Sequence, residues 1–116
     1  MSKPILLVDF DGVIHSYTSG WQGASTISDP PVPGAIEFLQ KASDVFNVQI
    51  YSSRSKEPGG VTAMKKYLAE HGGPAWIEFP TEKPPAFLTI DDRAICFTGE
   101  FPDPEELRAF KPWNKK

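Results

Sequence analysis

Short blocks of hydrophobic residues, separated by turn-forming and charged residues, run along most of this chain. The runs at residues 5–8, 45–51 and 87–90 are mainly apolar, which is typical of strands that are buried on both faces of a parallel sheet. Weaker runs at residues 76–79 and 94–97 predict a further short strand and an edge strand. The pattern therefore predicts a sheet in which the strands are separated by longer connections.

Two of those connections, at residues 35–43 and 61–71, have apolar residues at helical spacing and are predicted to be helices. Residues 104–110 predict a terminal helical turn, with Asp103 as its N-cap. Strands that alternate with helices predict an α/β fold. We expect a three-layer, Rossmann-like domain in which a central parallel sheet lies between helices and the crossovers are right-handed.

The segment 13–32 has no helical period and is rich in Ser, Thr, Gly and Tyr. It predicts a flap, either a loop or a small hairpin, that stands over the end of the first strand. His15, Tyr17 and Trp21 are candidates to line the mouth of a site there. We favour the alternative that Tyr17 and Trp21 pack the loop onto the domain, and His15 can equally be a solvated loop residue.

Composition limits the classes of protein to consider. The chain has 116 residues, enough for one domain spanning 1–116 with a loose tail at 111–116. Its 12 basic and 15 acidic residues give a net charge of −3, which argues against strong nonspecific binding of nucleic acid. Cys96 is the single cysteine, so we expect no internal disulfide and a cytoplasmic location. No apolar run is long enough for a signal peptide or a membrane span, so no membrane partner is expected.

Acidic pairs follow two of the predicted strands. Asp9 and Asp11 come directly after the first strand, and Asp91 and Asp92 come directly after the strand at 87–90. Either pair alone is also compatible with an ordinary acidic turn. If the two strands are neighbours, however, their carboxylates converge, and a hard cation such as Mg²⁺ would offset the repulsion between them.

Hydroxyl and cationic residues follow the remaining strands. Ser52 and Arg54 end the strand at 45–51, and Lys83 lies in the loop before 87–90. Side chains of these types suit phosphate oxygens. The alternatives are a serine that caps the next helix and a solvated lysine.

Taken in order, these residues resemble the motifs of the haloacid dehalogenase (HAD) superfamily. The four motifs are matched by Asp9-Phe10-Asp11-Gly12, Ser52, Lys83 and Asp91-Asp92. The resemblance implies a phosphatase in which Asp9 is the nucleophile that forms an aspartyl-phosphate and Asp11 is the general acid and base. It also implies that Ser52 and Lys83 bind the phosphoryl oxygens, with Arg54 as an added contact.

The same resemblance implies Mg²⁺ as the cofactor. Its ligands would be the carboxylate of Asp9, the backbone carbonyl of Asp11, and a carboxylate from Asp91 or Asp92. Which of the last two is the direct ligand stays open.

The segments between the motifs leave no room for a folded cap domain, because 13–32 suffices only for a flap and 52–83 is already filled by a predicted helix and strand. A capless, open site suits a large phosphorylated substrate, such as a nucleic-acid end, or a small metabolite enclosed by a second subunit of a homo-oligomer. Three alternatives remain. A phosphorylated receiver domain fits poorly, because Asp91-Asp92 follows the lysine. A HAD-like binding module without turnover and a phosphotransferase would use the same residues.

Overall fold

The fold is built from a small parallel sheet and the helices that connect its strands, and the computed structural model describes residues 2–114. Within these residues the strands are β1 (Ile5–Val8), β2 (Asn47–Ile50) and β3 (Leu88–Ile90), and the helices are α1 (Ala35–Ala42), α2 (Gly60–Glu70) and α3 (Pro104–Leu107). The predicted α/β class and parallel sheet are therefore confirmed, and α1 and α2 differ from their predicted bounds by about one residue.

The register of the sheet brings all three strand ends to one edge. The strand order is β2-β1-β3, and β1 pairs in parallel with both neighbours. Val8, the last residue of β1, lies opposite Ile50 on one side and Ile90 on the other. The residues that follow each strand therefore leave the sheet side by side, which is where open α/β sheets place their ligands.

One hydrophobic cluster lies against the central strand. Leu6 and Val8 share one face of β1, and they pack in the same cluster as Val48 and Ile50 of β2. Both long helices contribute their buried residues to it, namely Ala35, Leu39 and Ala42 from α1 and Met64, Tyr67 and Leu68 from α2. Burial of each large apolar side chain contributes about 1.5–3 kcal/mol. This cluster therefore holds α1, α2 and the sheet together.

The third helix is a short surface turn. The Asp103 side chain accepts a hydrogen bond from the N–H of Glu105 at 3.1 Å, so Asp103 is the N-cap that the sequence predicted. No residue of α3 is buried. The finer prediction of three layers therefore stays a prediction. Among residues 2–114, no helix combines the length and the apolar composition that a membrane crossing requires.

Two predicted strands do not form. Residues 76–79 make only an isolated bridge between Gln49 and Glu78, in which the N–H of Ile50 donates to the Glu78 carbonyl at 2.9 Å. Residues 94–97 form no strand, and the side chains of Ile95 and Phe97 are exposed. Both predictions were wrong because a strand needs a pairing partner and a covering surface along its length. Residues 76–79 pair at a single bridge, although Ile77 is buried, and residues 94–97 are exposed and pair with no strand of residues 2–114.

The segment 13–32 forms the expected flap. Its two arms are joined by an antiparallel bridge between His15 and Pro31, and the N–H of Ser16 donates to the Pro30 carbonyl at 3.0 Å. The tip between the arms carries Trp21, which is half exposed. The arms leave the flap standing beside the carboxyl end of β1.

The C-terminal segment returns to the same place. The indole N–H of Trp113 donates to the Gly12 carbonyl at 2.6 Å, and the Asn114 amide donates to the Ser16 carbonyl at 2.9 Å. Residues 112–114 thus contact the loop after β1. The rest of the predicted loose tail, Lys115 and Lys116, lies outside the described residues.

Candidate functional site

Three carboxylates meet where β1 and β3 end. Oxygen atoms from Asp9, Asp91 and Asp92 all lie within 4.8 Å of one another. The strand register explains the meeting, because the Asp9 N–H donates to the Ile90 carbonyl at 2.9 Å and so holds the two strand ends together. Both acids of the Asp91-Asp92 pair lie in the cluster, so the choice of direct ligand between them stays open.

Asp9 is in an environment that disfavours its charge. The pKa of Asp9 is raised from 3.8 to about 8, mainly by burial and further by the nearby carboxylates of Asp91 and Asp92, whereas a hydrogen bond from the Phe10 N–H acts to lower it. A divalent cation among these oxygens would reverse the effect of the neighbouring acids. The donor set consists of oxygen atoms, which hard cations such as Mg²⁺ and Ca²⁺ prefer. The cluster therefore fits a metal ion, without selecting one.

Gly12 makes room for the acidic cluster. Its φ is +83°, in the left-handed region, and a Cβ atom at this position would overlap the carboxylate of Asp92. Any other residue would therefore be strained in its backbone and would push Asp92 away. The glycine after the two acids is required by the close approach of the loop to the second acidic pair.

A cavity of about 180 Å³ lies beside Asp9. It is lined by Leu7, Asp9, Tyr51, Ser52, Ser53, Lys83, Thr89 and Asp91. Candidate site residues that were predicted from separate segments of the sequence therefore line one cavity. Larger surface grooves exist, such as one of about 520 Å³ near the start of α2, but that groove contains none of the three clustered aspartates.

Asp11 points to a different set of partners. Its carboxylate is not part of the acidic cluster. It accepts hydrogen bonds from Nδ1 of His15 at 2.9 Å and from Nε of Arg54, the latter at 2.9 Å to Oδ2 and 3.2 Å to Oδ1. The two acids of the first motif are thus separated in role, one at the cavity and one between two nitrogen donors.

The guanidinium of Arg54 is fully buried, with an exposed fraction of 0%. Besides Asp11, it donates from Nη1 to the carbonyls of Gly23 and Ala24 at 2.9 Å and of Thr26 at 3.1 Å. The ring of Trp21 covers it, with the central carbon 4.8 Å from the ring centroid. The structure therefore joins Arg54 to the flap, although the sequence suggested only a phosphate contact.

His15 is buried, with an exposed fraction of 1%, so of its two interpretations the solvated loop residue is wrong. Its Nε2 accepts a hydrogen bond from the Asp29 N–H at 3.1 Å. Asp29 is fixed in turn by Ser19, whose hydroxyl and N–H donate to its carboxylate at 2.6 and 2.8 Å and lower its pKa. The signal available in the sequence was the four-residue spacing between Asp11 and His15.

Comparison of the chain with protein-family models, with curated proteins and with solved structures found no match.

Proposed function

We propose that this protein is a metal-dependent phosphomonoester hydrolase of the capless, three-layer HAD type. The observation that carries the proposal is the cavity beside Asp9, because Ser52, Lys83 and Asp91 line it together with Asp9. All four motifs are thus represented in one space. Asp9 would supply the nucleophile, Ser52 a hydroxyl, Lys83 a cation and Asp91 a metal-binding carboxylate. This convergence supports the proposal.

The cavity suits a phosphoryl group. Its volume of about 180 Å³ is small, so the rest of the substrate extends outside it. The Ser52 hydroxyl and the Lys83 ammonium group would bind the phosphoryl oxygens, and Lys83 would also offset the negative charge near Asp9. An open site of this kind is compatible with a large phosphorylated substrate or with enclosure by a second subunit.

The reaction would proceed in two displacements. A carboxylate oxygen of Asp9 forms a bond to phosphorus while the bond from phosphorus to the leaving oxygen breaks, and the Asp11 carboxyl group gives its proton to that oxygen. In the second step, Asp11 takes a proton from water, the water oxygen attacks phosphorus, and the bond to Asp9 breaks. Phosphate and the original carboxylate of Asp9 result.

Mg²⁺ is the proposed cofactor, and it would be held by the carboxylate of Asp9, the backbone carbonyl of Asp11 and a carboxylate from Asp91 or Asp92. When bound, it would neutralise the charge that accumulates on the phosphoryl group and on Asp9. The acidic cluster supports a metal at this position, and the resemblance of the motifs supports Mg²⁺ in particular.

Phosphate release with and without Mg²⁺ tests the proposal. The panel contains an aryl phosphate, sugar phosphates, nucleotides and oligonucleotides phosphorylated at either end. We expect metal-dependent release that falls by at least about 10³-fold in Asp9→Asn, because the amide is nearly the same size but is not a nucleophile. Asp44→Asn, at an exposed position after α1, is the matched control and should retain activity.

Two results would contradict parts of the proposal. Full activity in Asp9→Asn would remove Asp9 as the nucleophile. No metal-dependent release from any member of the panel, with Mg²⁺ still bound in a calorimetric titration, would favour a HAD-like binding module over an enzyme. Transfer of the phosphoryl group to an added alcohol in place of water would favour a phosphotransferase.

A further inference from the structure

We propose that His15 is a positioning residue that orients the Asp11 carboxyl group for proton transfer to the leaving group. The proposal rests on the proposed function, because it assigns His15 a part in the step that Asp11 performs there. His15 belongs to the flap and to none of the four motifs. Its contacts, and not its position in the sequence, carry the inference.

The hydrogen bonds of the ring fix which nitrogen carries the proton. A backbone N–H can only donate, and the Asp29 N–H lies 3.1 Å from Nε2 of His15, closer than Oδ2 of the Asp29 carboxylate at 3.5 Å, so Nε2 presents its lone pair to that N–H. In the neutral ring the hydrogen is then on Nδ1, which lies 2.9 Å from Oδ1 of Asp11. The imidazole is therefore a donor to Asp11, with its tautomer set by the backbone on its other side.

The ring is also held in place by its neighbours. The rings of Phe10, Tyr17 and Tyr67 surround it, with centroid distances of 5.8, 5.8 and 5.5 Å. The Tyr67 hydroxyl donates to the Asp29 carbonyl at 2.9 Å, so α2 supports the residue whose N–H orients the imidazole. These contacts leave few orientations open to the imidazole ring. Because Nδ1 is hydrogen-bonded to Asp11, they also restrict the orientation of the Asp11 carboxylate.

The donors around Asp11 are distributed unequally between its two oxygens. Oδ1 accepts from His15 at 2.9 Å and from Arg54 at 3.2 Å, whereas Oδ2 accepts from Arg54 alone among the described residues, at 2.9 Å. Oδ2 is thus the oxygen with more room for a proton. In the first displacement, the proton would pass from Oδ2 to the leaving oxygen, which keeps the electron pair of the broken bond to phosphorus.

The test compares two leaving groups in the full-length protein. The nitrophenolate of a nitroaryl phosphate is a good leaving group and departs without a proton. The alkoxide of an alkyl phosphate is a poor leaving group and requires a proton to depart. General acid catalysis typically contributes about 10²–10⁴-fold, so we expect His15→Ala to lower kcat by about tenfold more with the alkyl phosphate than with the nitroaryl phosphate. A residue that only supports the fold would lower both rates by the same factor.

Two conservative variants sharpen the comparison. An Asn side chain places its amide nitrogen near the position of Nδ1, so His15→Asn should restore much of the lost rate with the alkyl phosphate. His15→Gln reaches towards the position of Nε2 and should restore less. In the Asp11→Asn background, His15→Ala should add no further leaving-group dependence, because the group it orients is already gone.

The outcomes separate the two proposals. If the wild-type protein releases no phosphate, the proposed function is wrong and the role of His15 is wrong with it. If the wild type is active and all His15 variants lose equal fractions of activity with both leaving groups, only the role of His15 is wrong. Should His15→Ala fail to fold, ring-nitrogen NMR of the wild type still decides, since a hydrogen on Nε2 in a neutral ring would overturn the orientation.

Discussion

At the scale of single residues, the acidic cluster depends on a position that carries no side chain. Gly12 has a positive φ and lies against the Asp92 carboxylate, so two separate constraints act on it. The first is the backbone conformation, which costs an L-residue about 1–2 kcal/mol. The second is the overlap of a Cβ atom with Asp92, which belongs to the candidate metal site. A substitution that separates these constraints measures how tightly the cluster is packed.

Gly12→Ala should lower the free energy of unfolding by more than Gly20→Ala. Gly20 also has a positive φ, +74°, but no atom lies within 4 Å of a Cβ placed there, so its substitution reports the backbone cost alone. The excess loss in Gly12→Ala would come from the displaced Asp92, and Mg²⁺ binding should weaken in that variant only. Urea unfolding and a metal titration of both variants measure these effects. Equal losses of stability with unchanged metal binding would contradict the close approach.

Asp9, Asp91 and Asp92 could be brought together from the sequence because each follows an apolar run, and parallel strands end at one edge. The partners of Arg54 could not be predicted in this way. Its side chain contacts carbonyls of residues 23–26, which no strand register relates to β2. Long side chains reach partners set by the path of a loop, and the path of the flap is not encoded in any periodic pattern. The same reason explains why the burial of His15 was missed.

At the scale of elements, the hydrophobic pattern correctly predicted the helices and strands whose apolar face is buried against another element. α1 and α2 have such faces in the core cluster, and β1 lies between two partner strands. The runs at 76–79 and 94–97 have similar composition, but they were predicted as strands in error. Pairing and coverage are properties of the whole arrangement, so the residues of a short run do not determine them.

The flap is the element whose position depends most on one side chain. Arg54 lies after β2 and joins that strand end to Asp11 and to three carbonyls of the flap. We expect Arg54→Lys to lower the free energy of unfolding by at least about 2 kcal/mol, because an ammonium group cannot replace the planar set of donors and each lost bond is worth about 1 kcal/mol. Amide exchange in residues 13–32 should accelerate more than exchange in β1.

Urea unfolding and hydrogen exchange measured by mass spectrometry test this prediction. Arg108→Lys, at the exposed end of α3, is the matched control and should change stability by less than about 0.5 kcal/mol. Unchanged flap exchange in Arg54→Lys would show that the arms alone, through the His15 and Pro31 bridge, hold the flap in place.

At the scale of the whole molecule, the C-terminal segment of the described chain returns to the loop after β1, beside the candidate site. The indole of Trp113 donates to the Gly12 carbonyl at 2.6 Å, and Asn114 contacts the Ser16 carbonyl. The loop that carries Asp11 and Gly12 is therefore fixed from one side by Arg54 and His15 and from the other by the C-terminal segment. The ring of Trp113 is exposed, so this residue contributes to the docking mainly through its hydrogen bond, beside the Asn114 hydrogen bond and the buried Pro112.

Trp113→Phe removes the indole N–H and keeps an aromatic ring. We expect the free energy of unfolding to fall by about 1 kcal/mol, the typical value for one hydrogen bond, and amide exchange of residues 112–114 to accelerate. Trp76→Phe is the control, because Trp76 is also exposed and makes no side-chain hydrogen bond to the other described residues. If both variants unfold at the same urea concentration as the wild type, the C-terminal segment does not stabilise the loop. A loss confined to Trp113→Phe would instead show that the C-terminal segment, in addition to Arg54 and His15, stabilises the loop after β1.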